Sequence, residues 1–532
     1  MPAYRLTYFD GRGRGEAIRL ALAVAGQEYE DIRIKDNEEW EKVKSEMPLN
    51  AVPIFSVDGE TISQSTAILR YIAREYNLYG DGNMNMTKVD TLISTYEDFF
   101  GEMIKPFMEP DEGKKKDMTQ TLKEKTVPKF VKFVGKMLSD NAENSGWLVG
   151  SKLTVADIAI FCMFGDVEGM LGKDTAKAFL EDKNLVAHNE RVASFPAIKE
   201  WIAKRPQSQC DNAEVRLKLE GYNLASAADA GVLDDVFNEA EDVCPSGTPT
   251  RIPYLTVADI VVFYMFGAAE NLYGKDTAKA FLEDKNWVVH SAKVAAVPEI
   301  KEWLQNNPKH RFSYCLHQRF SESTSHKMPT YKLHYFPIRA RGELIRLIFA
   351  AAGETFTDQI ITFADWPSKK SEMPTGQLPV LEVDGEKLCQ SLTIVRFLSR
   401  EFGLAGENNF EQAKADQVVD TVGDLLTEFF KYAFEKDETK KEELKKKTFD
   451  TVLSTFATNV TKFLDMNKTK SGYFVGKKLT VADLAVYEGF EDFLVVDPSS
   501  LDKYPKLVAH RKLVLSNPRV KAYLDKRPKT NV

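Results

Sequence analysis

Two tyrosine residues in matching sequence surroundings are the first candidates for chemistry in this chain. Tyr8 lies in the segment YRLTYF and Tyr335 in YKLHYF, and an arginine follows each tyrosine at the same distance, Arg14 and Arg341. A tyrosine hydroxyl has a pKa of about 10, so at neutral pH it is a hydrogen-bond donor that can stabilise an anion. Each arginine either adds positive potential beside the hydroxyl or orders the loop, and the sequence leaves both roles open.

Repetition organises the whole chain. The segment YRLTYFDGRGRGEAIRLALAVAG near the start is matched by YKLHYFPIRARGELIRLIFAAAG from Tyr331, and the match extends to KLTVAD at Lys152 and Lys478. A third, partial copy starts with YLTVADIVVFYMFG at Tyr254, and no segment like the one around Tyr8 precedes it. Because internal repeats mark duplicated structural units, we expect three helical copies but only two candidate sites.

Each complete copy is predicted to open as a mixed α/β unit. Residue types favour a strand from Tyr4 to Phe9, glycines interrupt it, and apolar periodicity from Ala17 predicts a helix. The segments VPIFSVDG and LPVLEVDG each predict a strand, an Asp-Gly turn and a second strand, which is the pattern of a hairpin. A further helix is predicted to begin near Ser65.

The remainder of each copy is predicted to be helical. After Gly82 the pattern is that of long amphipathic helices, and a T-x-x-D cap precedes a buried helix at Thr154, Thr256 and Thr480. Two runs rich in lysine, Lys114 to Lys116 and Lys440 to Lys447, are interpreted as solvated helix faces. Each complete copy is therefore predicted to contain a small α/β domain followed by an all-helical domain.

Composition excludes several classes of protein. A chain of 532 residues needs several domains, and 43% hydrophobic with 28% charged residues is typical of globular proteins. With 71 Lys and Arg against 79 Asp and Glu, there is no electrostatic reason to bind nucleic acid or a membrane. Neither a signal peptide nor a membrane span is predicted, and five cysteines without metal-site spacing favour a reducing, cytoplasmic compartment.

These features together resemble the sigma class of cytosolic glutathione S-transferases over residues 1–206 and 328–532. The resemblance rests on the order and spacing of motifs that occur in both copies. They are Tyr-Phe ending the first strand, R-G-E-x-I-R opening the first helix, Trp40 with Lys44, Val52-Pro53, Gln64-Ser65 and T-V-A-D.

The resemblance implies a domain plan. Each copy would have an α+β, thioredoxin-like βαβαββα domain, at 1–79 and 328–405, and an all-helical bundle domain, at 82–206 and 408–532. Residues 207–327 would form a linker with a partial helical repeat at 252–308. Two interpretations of this middle segment are open: it docks on a complete helical domain, or it reflects neighbouring genes joined in the sequence.

The resemblance also implies glutathione as co-substrate, without a metal. Tyr8 and Tyr335 would stabilise its thiolate, because a thiol with a pKa of about 8.5 is mostly protonated at pH 7. Three further groups in each copy would bind the tripeptide, together with Arg14 and Arg341. For the glycyl carboxylate they are Trp40 and Lys44, and Trp366 and Lys370. For the cysteinyl part they are Val52 before a cis Pro53, and Leu378 before a cis Pro379. For the γ-glutamyl carboxylate they are Gln64 and Ser65, and Gln390 and Ser391.

The two sites are not expected to be equal. In the family a glutamine precedes the cis-proline pair, as Gln377 does here, whereas the first copy has Ala51. The family also lends an aspartate from the partner unit to the γ-glutamyl amine. Asp420 matches this aspartate, whereas the first copy has Ser94. Pairing of like units between chains would make the second site the better binder, and pairing within one chain would give Asp420 to the first site and leave each site with one defect.

The activity implied by the resemblance is conjugation of glutathione to small apolar electrophiles, or reduction of peroxides, by a dimer or an intrachain pseudo-dimer. The electrophile pocket would lie between the domains, with Phe9, Met103 and Phe107 in its wall. Two alternatives remain: isomerisation of prostaglandin H to prostaglandin D by the same thiol, and a non-catalytic role as a crystallin or carrier of apolar ligands. The retained site residues favour catalysis.

Overall fold

The structure is a computed structural model, and it describes residues 2–206, 329–528 and 530. We call the part up to residue 206 the first unit and the part from residue 329 the second unit. The predicted partial repeat at 252–308, with its cap at Thr256, lies outside the described residues.

A four-stranded sheet with helices packed on it opens the first unit. Its strands run in the order β2-β1-β3-β4, with β1 parallel to β2 and antiparallel to β3. The predicted hairpin is confirmed, and Asp58 and Gly59 turn between its strands at φ 50° and 84°, angles that Asp and Gly tolerate. The elements are β1 (Tyr4–Phe9), α1 (Gly13–Val24), β2 (Glu30–Ile34), α2 (Asn37–Val43), β3 (Ile54–Val57), β4 (Glu60–Ser63) and α3 (Ser65–Glu75).

Helices complete the first unit. They are α4 (Gly82–Met108), α5 (Glu112–Thr121), α6 (Val127–Ser139), α7 (Val155–Leu171), α8 (Lys173–Glu181), α9 (Lys183–Ser194) and α10 (Pro196–Lys204). The predicted cap begins α7, where the Thr154 hydroxyl and N–H both donate to Asp157 Oδ2 at 2.8 Å. Helix α5, which carries the first lysine run, has no buried residue, so the interpretation of that run as a solvated face is confirmed.

The second unit repeats this plan, with its sheet in the order β6-β5-β7-β8. Its sheet domain contains β5 (Tyr331–Tyr335), α11 (Ala340–Ala352), β6 (Thr357–Ile360), α12 (Trp366–Lys369), β7 (Val380–Val383), β8 (Glu386–Cys389) and α13 (Ser391–Glu401). Its helical domain contains α14 (Asn409–Ala433), α15 (Glu438–Lys447), α16 (Leu453–Met466), α17 (Val481–Gly489), α18 (Glu491–Val496), α19 (Pro505–Leu515) and α20 (Pro518–Lys526). The predicted fold class, a thioredoxin-like domain followed by a helical domain twice in tandem, is confirmed.

The two units pack against each other, α3 on α14 and α13 on α4. Ionic groups are buried between them in a pseudo-symmetric network. Asp90, which is 0% exposed, accepts bonds from Arg70 Nε at 2.6 Å and from Arg400 Nη1 of the other unit at 2.9 Å. The matching bonds are from Arg396 Nε to Asp416 at 2.8 Å and from Arg74 Nη1 to Asp416 at 3.0 Å. Of the two arrangements that the sequence left open, the structure therefore contains pairing within one chain.

Candidate functional site

The two tyrosine hydroxyl groups occupy equivalent places, where the first strand of each sheet ends against the next helix. Tyr8 Oη accepts a hydrogen bond from the N–H of Arg14 at 3.1 Å, and Tyr335 Oη accepts one from the N–H of Arg341 at 3.1 Å. A hydroxyl that accepts such a bond still has its own proton to donate. Each site therefore presents one O–H donor beside a backbone N–H.

Both tyrosines keep their protons at neutral pH. Burial raises the pKa of Tyr335 to about 12, against the opposing influence of the N–H and charge of Arg341. Burial also raises the pKa of Tyr8, opposed in the same way by Arg14. The two phenols are therefore hydrogen-bond donors to an anion and not bases.

Glycine in the first helical turn allows each tyrosine ring to lie against the helix. A Cβ atom on Gly15 would come within 2.5 Å of Tyr8 Cδ1, and Gly342 stands in the same relation to Tyr335. The start of this helix differs from the sequence prediction. Helix α1 begins at Gly13 and not near Ala17. Gly13 and Gly15 therefore belong to the helix, where the missing Cβ atoms make room for the Tyr8 ring, and they do not separate the strand from the helix.

The arginine beside each tyrosine has a different environment in the two units. Arg14 NH2 donates to Glu97 Oε1 at 2.5 Å. Arg341 is exposed, with its guanidinium 5.7 Å from the ring centroid of Phe430. The second unit has Gly423 at the position of Glu97, so this ion pair has no counterpart there.

The Gln-Ser pair of each unit forms the start of a helix. Gln64 and Gln390 both have φ 70°, in a region that residues other than glycine rarely adopt. Ser65 and Ser391 are the first residues of α3 and α13. Unpaired N–H groups and the positive end of the helix dipole favour an anion at such a position. The strained backbone therefore places an amide and a hydroxyl at a helix start whose positive end favours an anion, in both units.

A carboxylate from the other unit completes each of these helix starts. Gln64 Nε2 donates to Asp424 Oδ2 at 2.9 Å, and Gln390 Nε2 donates to Asp98 Oδ2 at 3.1 Å. Asp98 and Asp424 occupy matching positions in α4 and α14. Both candidate sites therefore have a cross-unit carboxylate.

Asp420, the aspartate expected from the sequence, has other partners in the structure. Its carboxylate accepts bonds from Arg396 Nη2 at 2.5 Å and from Thr66 Oγ1 at 2.8 Å, so it belongs to the ionic network between the units. Asp424 lies one helical turn further along the same face of α14, so spacing within the helix does not distinguish the two aspartates. Both copies have Asp at the position of Asp424, whereas Asp420 aligns with Ser94.

The cross-unit carboxylates have perturbed acidities. The protein packed around Asp424 removes water from its carboxylate, although the carboxylate remains open to the cavity. Repulsion from Asp420 and Glu97 also raises its pKa. Together these two effects raise its pKa to about 6, while the bond from Gln64 opposes the shift. Desolvation likewise raises the pKa of Asp98. A cation bound beside either carboxylate would therefore favour its ionised form.

The predicted Trp-Lys pair of the first unit lies beside the end of β1. The Trp40 ring packs edge-on against Phe9, with centroids 5.4 Å apart, and Lys44 Nζ lies 5.8 Å from the Trp40 centroid. In the second unit Trp366 packs against Phe336 in the same way, at 5.6 Å. The indole and ammonium groups are thus brought to the strand end that bears the tyrosine.

The two peptide bonds before the predicted prolines, Val52-Pro53 and Leu378-Pro379, are both cis. The residues before these pairs, Ala51 and Gln377, are both exposed, so the difference between the copies at this position remains. The Lys370 stem lies close by, since a Cβ on Gly376 would be 3.6 Å from its Cε.

A cavity of about 470 Å³ lies at the first site, lined by Arg14, the Val52-Pro53 pair and the Gln64-Ser65 pair, and extends into the second unit. Its size lies within the usual range for small-molecule sites. Met103, expected in the electrophile pocket, is 0% exposed and belongs to the core, and the side chain of Phe107 lies outside the described part. The predicted glutathione-binding residues that line the cavity are Arg14, Val52, Pro53, Gln64 and Ser65, and Thr421, Asp424 and Phe456 reach it from the second unit.

Two negative findings concern the described residues alone. Within them, no group of three or more His, Cys, Asp or Glu residues could hold a metal ion. No helix in the same part of the chain is long and apolar enough to cross a membrane.

A thioredoxin-like domain with a tyrosine at the end of its first strand, joined to a helical bundle, defines a glutathione-transferase type of architecture. The family model for the glutathione S-transferase N-terminal domain matches residues 4–74 and 331–400. The model for the glutathione S-transferase C-terminal domain matches residues 97–205 and 423–527. The chain belongs to the glutathione S-transferase family and contains both of its domains twice.

Similar proteins are about the size of one unit. "Probable glutathione S-transferase 6" of Caenorhabditis elegans is 39% identical over 202 residues, 38% of this chain and 98% of the relative. "Hematopoietic prostaglandin D synthase" of Gallus gallus is 41% identical over 205 residues, 38% of this chain and 100% of the relative. A solved glutathione S-transferase from the hookworm Necator americanus is 39% identical and covers 38% of this chain and 100% of its own, with a TM-score of 0.36.

Proposed function

We propose that this protein is a sigma-like glutathione S-transferase with two sites, in which Tyr8 and Tyr335 hold the glutathione sulfur as a thiolate. The observation that carries the proposal is the matched pair of phenols at the strand ends, each with a proton free to donate and a backbone N–H on its oxygen. The thiolate would attack a small apolar electrophile or a peroxide. The new bond joins sulfur to the electrophilic atom, and the electron pair of the bond that breaks leaves with the displaced group or, in an addition, takes up a proton. With a peroxide the O–O bond breaks, the alkoxide leaves and takes up a proton, and a second glutathione displaces water from the resulting sulfenic acid to give the disulfide.

The expected size of the effect follows from the hydrogen bond to sulfur. A hydrogen bond to a charged group contributes about 1.5–3 kcal/mol, and about 1.4 kcal/mol corresponds to one pKa unit. One phenolic donor therefore lowers the thiol pKa by roughly one to two units from about 8.5. At pH 7 this raises the thiolate fraction by roughly tenfold, which is enough to matter for turnover.

The remaining groups would hold the tripeptide across both units. The cross-unit carboxylates, Asp424 at the Tyr8 site and Asp98 at the Tyr335 site, would pair with the γ-glutamyl ammonium. In the first site the other contacts would be Trp40, Lys44, Val52, Gln64 and Ser65. In the second site they would be Trp366, Lys370, Gln377, Leu378, Gln390 and Ser391. Each site would then be complete only when the two units are paired.

Replacing the two tyrosines, singly and together, tests the proposal. In the double variant, which combines Tyr8→Phe and Tyr335→Phe, we expect the thiol pKa of bound glutathione to return towards about 8.5, as measured by the ultraviolet absorbance of the thiolate. Turnover at pH 7 should fall by roughly tenfold or more. Each single variant should lose one of the two sites. Tyr4→Phe makes the same chemical change in the same strand and is the matched control. Full thiolate formation in the double variant would refute the role of the phenols.

Isomerisation of prostaglandin H to prostaglandin D is a second candidate reaction for the same sites. The 41% identity to the hematopoietic prostaglandin D synthase of Gallus gallus over that relative's full length favours it. Both reactions need the thiolate, so the same tyrosine variants should lose both. Assays of the full chain with prostaglandin H and with a panel of simple electrophiles separate them, and glutathione binding without any turnover would favour a carrier role.

A further inference from the structure

Of the two arginines beside the tyrosines, Arg14 is paired with a carboxylate, whereas among the described residues Arg341 is not. Both arginines lie close to the place where an electrophile would meet the thiolate. Arg14 donates to Glu97 at 2.5 Å, and its guanidinium centre lies 5.0 Å from the Phe100 ring centroid. Both partners of the ion pair are 33% exposed. The positive charge of Arg14 is thus offset at short range and directed towards the middle of α4.

Arg341 has no such partner. Gly423 occupies the position of Glu97, and in the described part of the chain no carboxylate lies within ion-pair distance of the Arg341 guanidinium. Asp98 is close enough for Arg341 to oppose the rise in its pKa, but Asp98 already accepts a bond from Gln390 and would be taken by the glutathione ammonium. The charge of Arg341 is therefore available to another anion.

An apolar surface lies beside that charge. The Arg341 guanidinium stacks 5.7 Å from the Phe430 ring, which is two helical turns beyond Gly423 in α14. The Phe434 ring follows, with its centroid 5.8 Å from that of Phe430, and the residue is 61% exposed. A cation next to exposed aromatic rings matches a ligand that has an apolar body and one negative group.

The charges around the two phenols differ in the same sense. Burial is the largest influence on the pKa of both tyrosines. The strongest charge effects on Tyr335 are those of Arg341 and Arg346, and both lower its pKa. At Tyr8 the corresponding arginines are opposed by Asp166, which raises its pKa. Among the strongest influences, a carboxylate therefore opposes the arginines at Tyr8 but not at Tyr335.

We propose that the Tyr335 site prefers apolar electrophiles that carry a carboxylate, whereas the Tyr8 site prefers neutral ones, and that residue 97 in the first unit and residue 423 in the second set this difference. This inference rests on the proposed transferase function. Glu97 would act as a specificity-determining residue through Arg14, and Gly423 would leave Arg341 available to the electrophile's carboxylate.

The test compares two electrophiles with the same reacting centre and different charge, ethacrynic acid and its methyl ester. The full chain is used as Tyr8→Phe, which leaves the Tyr335 site, and as Tyr335→Phe, which leaves the Tyr8 site. We expect the ratio of kcat/KM for the acid to kcat/KM for the ester to be roughly three- to tenfold higher in Tyr8→Phe. High salt should reduce this difference, since the contact is exposed.

Substitutions at positions 97 and 423 test whether these two residues cause the difference between the sites. In the Tyr8→Phe chain, Gly423→Glu should lower the acid-to-ester ratio, and Gly423→Gln, which has the same shape without the charge, should not. A Cβ there would come within 3.0 Å of Leu392 Cδ1, so a side chain is accommodated when the flexible end of Leu392 shifts slightly. In the Tyr335→Phe chain, Glu97→Gln should raise the ratio. Each substitution tests the charge preference within one site, even if the other site is inactive.

The outcomes separate the two proposals. Conjugation of the ester by both single-site chains with equal acid-to-ester ratios, unchanged by Gly423→Glu and Glu97→Gln, would overturn the charge preference and leave the transferase function intact. No conjugation of either compound by any chain, including the unmodified one, would instead overturn the proposed function.

Discussion

Replacing Asp424 by asparagine should weaken glutathione binding at the Tyr8 site, although the two residues belong to different units. Asp424 Oδ2 accepts a bond from Gln64 at 2.9 Å and lines the cavity of the first site. In our proposal it pairs with the glutathione ammonium. Asparagine keeps the shape and can still bond to Gln64 but has no charge, so the substitution removes only the ionic part of the contact.

The magnitude follows from the exposure of the carboxylate. A hydrogen bond to a charged group contributes about 1.5–3 kcal/mol when sheltered, whereas an exposed ion pair contributes about 0–1 kcal/mol. Asp424 is open to the cavity but crowded by protein, so a value of about 1–2 kcal/mol is expected. This corresponds to a rise in the KM for glutathione of roughly 5- to 30-fold.

The assay needs one site at a time. In the Tyr335→Phe chain turnover comes from the Tyr8 site, and there Asp424→Asn should raise the KM for glutathione while Asp98→Asn should not. In the Tyr8→Phe chain the two results should exchange. Asp420→Asn is a matched control from the same helix, because its carboxylate serves the ionic network, and it should lower stability more than glutathione affinity.

Two results would refute the reasoning. If Asp424→Asn raised the KM only at the Tyr335 site, the units would pair with like units of another chain and not with each other. If Asp420→Asn had the larger effect on the KM at the Tyr8 site, the expectation taken from the sequence would be right and the contact of Gln64 with Asp424 would not be the functional one.

Three further predictions follow from the charges of the structure. Because the pKa of Asp424 is raised to about 6 and the ammonium needs the carboxylate form, the KM for glutathione in the Tyr335→Phe chain should rise as pH falls through about 6, and Asp424→Asn should remove this dependence. Asp90→Asn leaves Arg70 and Arg400 without their buried partner, so the free energy of unfolding measured in urea should fall by about 3–5 kcal/mol. Burial raises the pKa of Glu488 to about 8, above its value when unfolded, so the folded state loses stability as pH rises from about 4.5 to about 8. Glu488→Gln should therefore stabilise the protein increasingly over that interval and have no such effect below it, which chemical denaturation at several pH values will show.

Local sequence signals predicted much of the architecture. The Asp-Gly turns predicted the hairpins at Ile54–Ser63 and Val380–Cys389, and the T-x-x-D caps predicted the starts of α7 and α17. Both patterns depend on contacts between residues only a few positions apart in the sequence. The resemblance also led to the tyrosines at the strand ends. Spacing within a helix could not choose between Asp420 and Asp424, since both lie on one face of α14 and only the position of the other unit decides which of them meets Gln64.

What the sequence by itself determined is the content of each site: two copies of one domain pair, a tyrosine and an arginine at the end of each first strand, and a Gln-Ser helix start. Tertiary structure alone decided how the copies are joined. It pairs α3 with α14 and α13 with α4, gives Asp424 to the first site and Asp98 to the second, and leaves Arg14 paired with Glu97 while Arg341 is open. These contacts connect residues about 300 positions apart or on separate helices, and their partners are set by the burial of whole helix faces and not by neighbours along the chain.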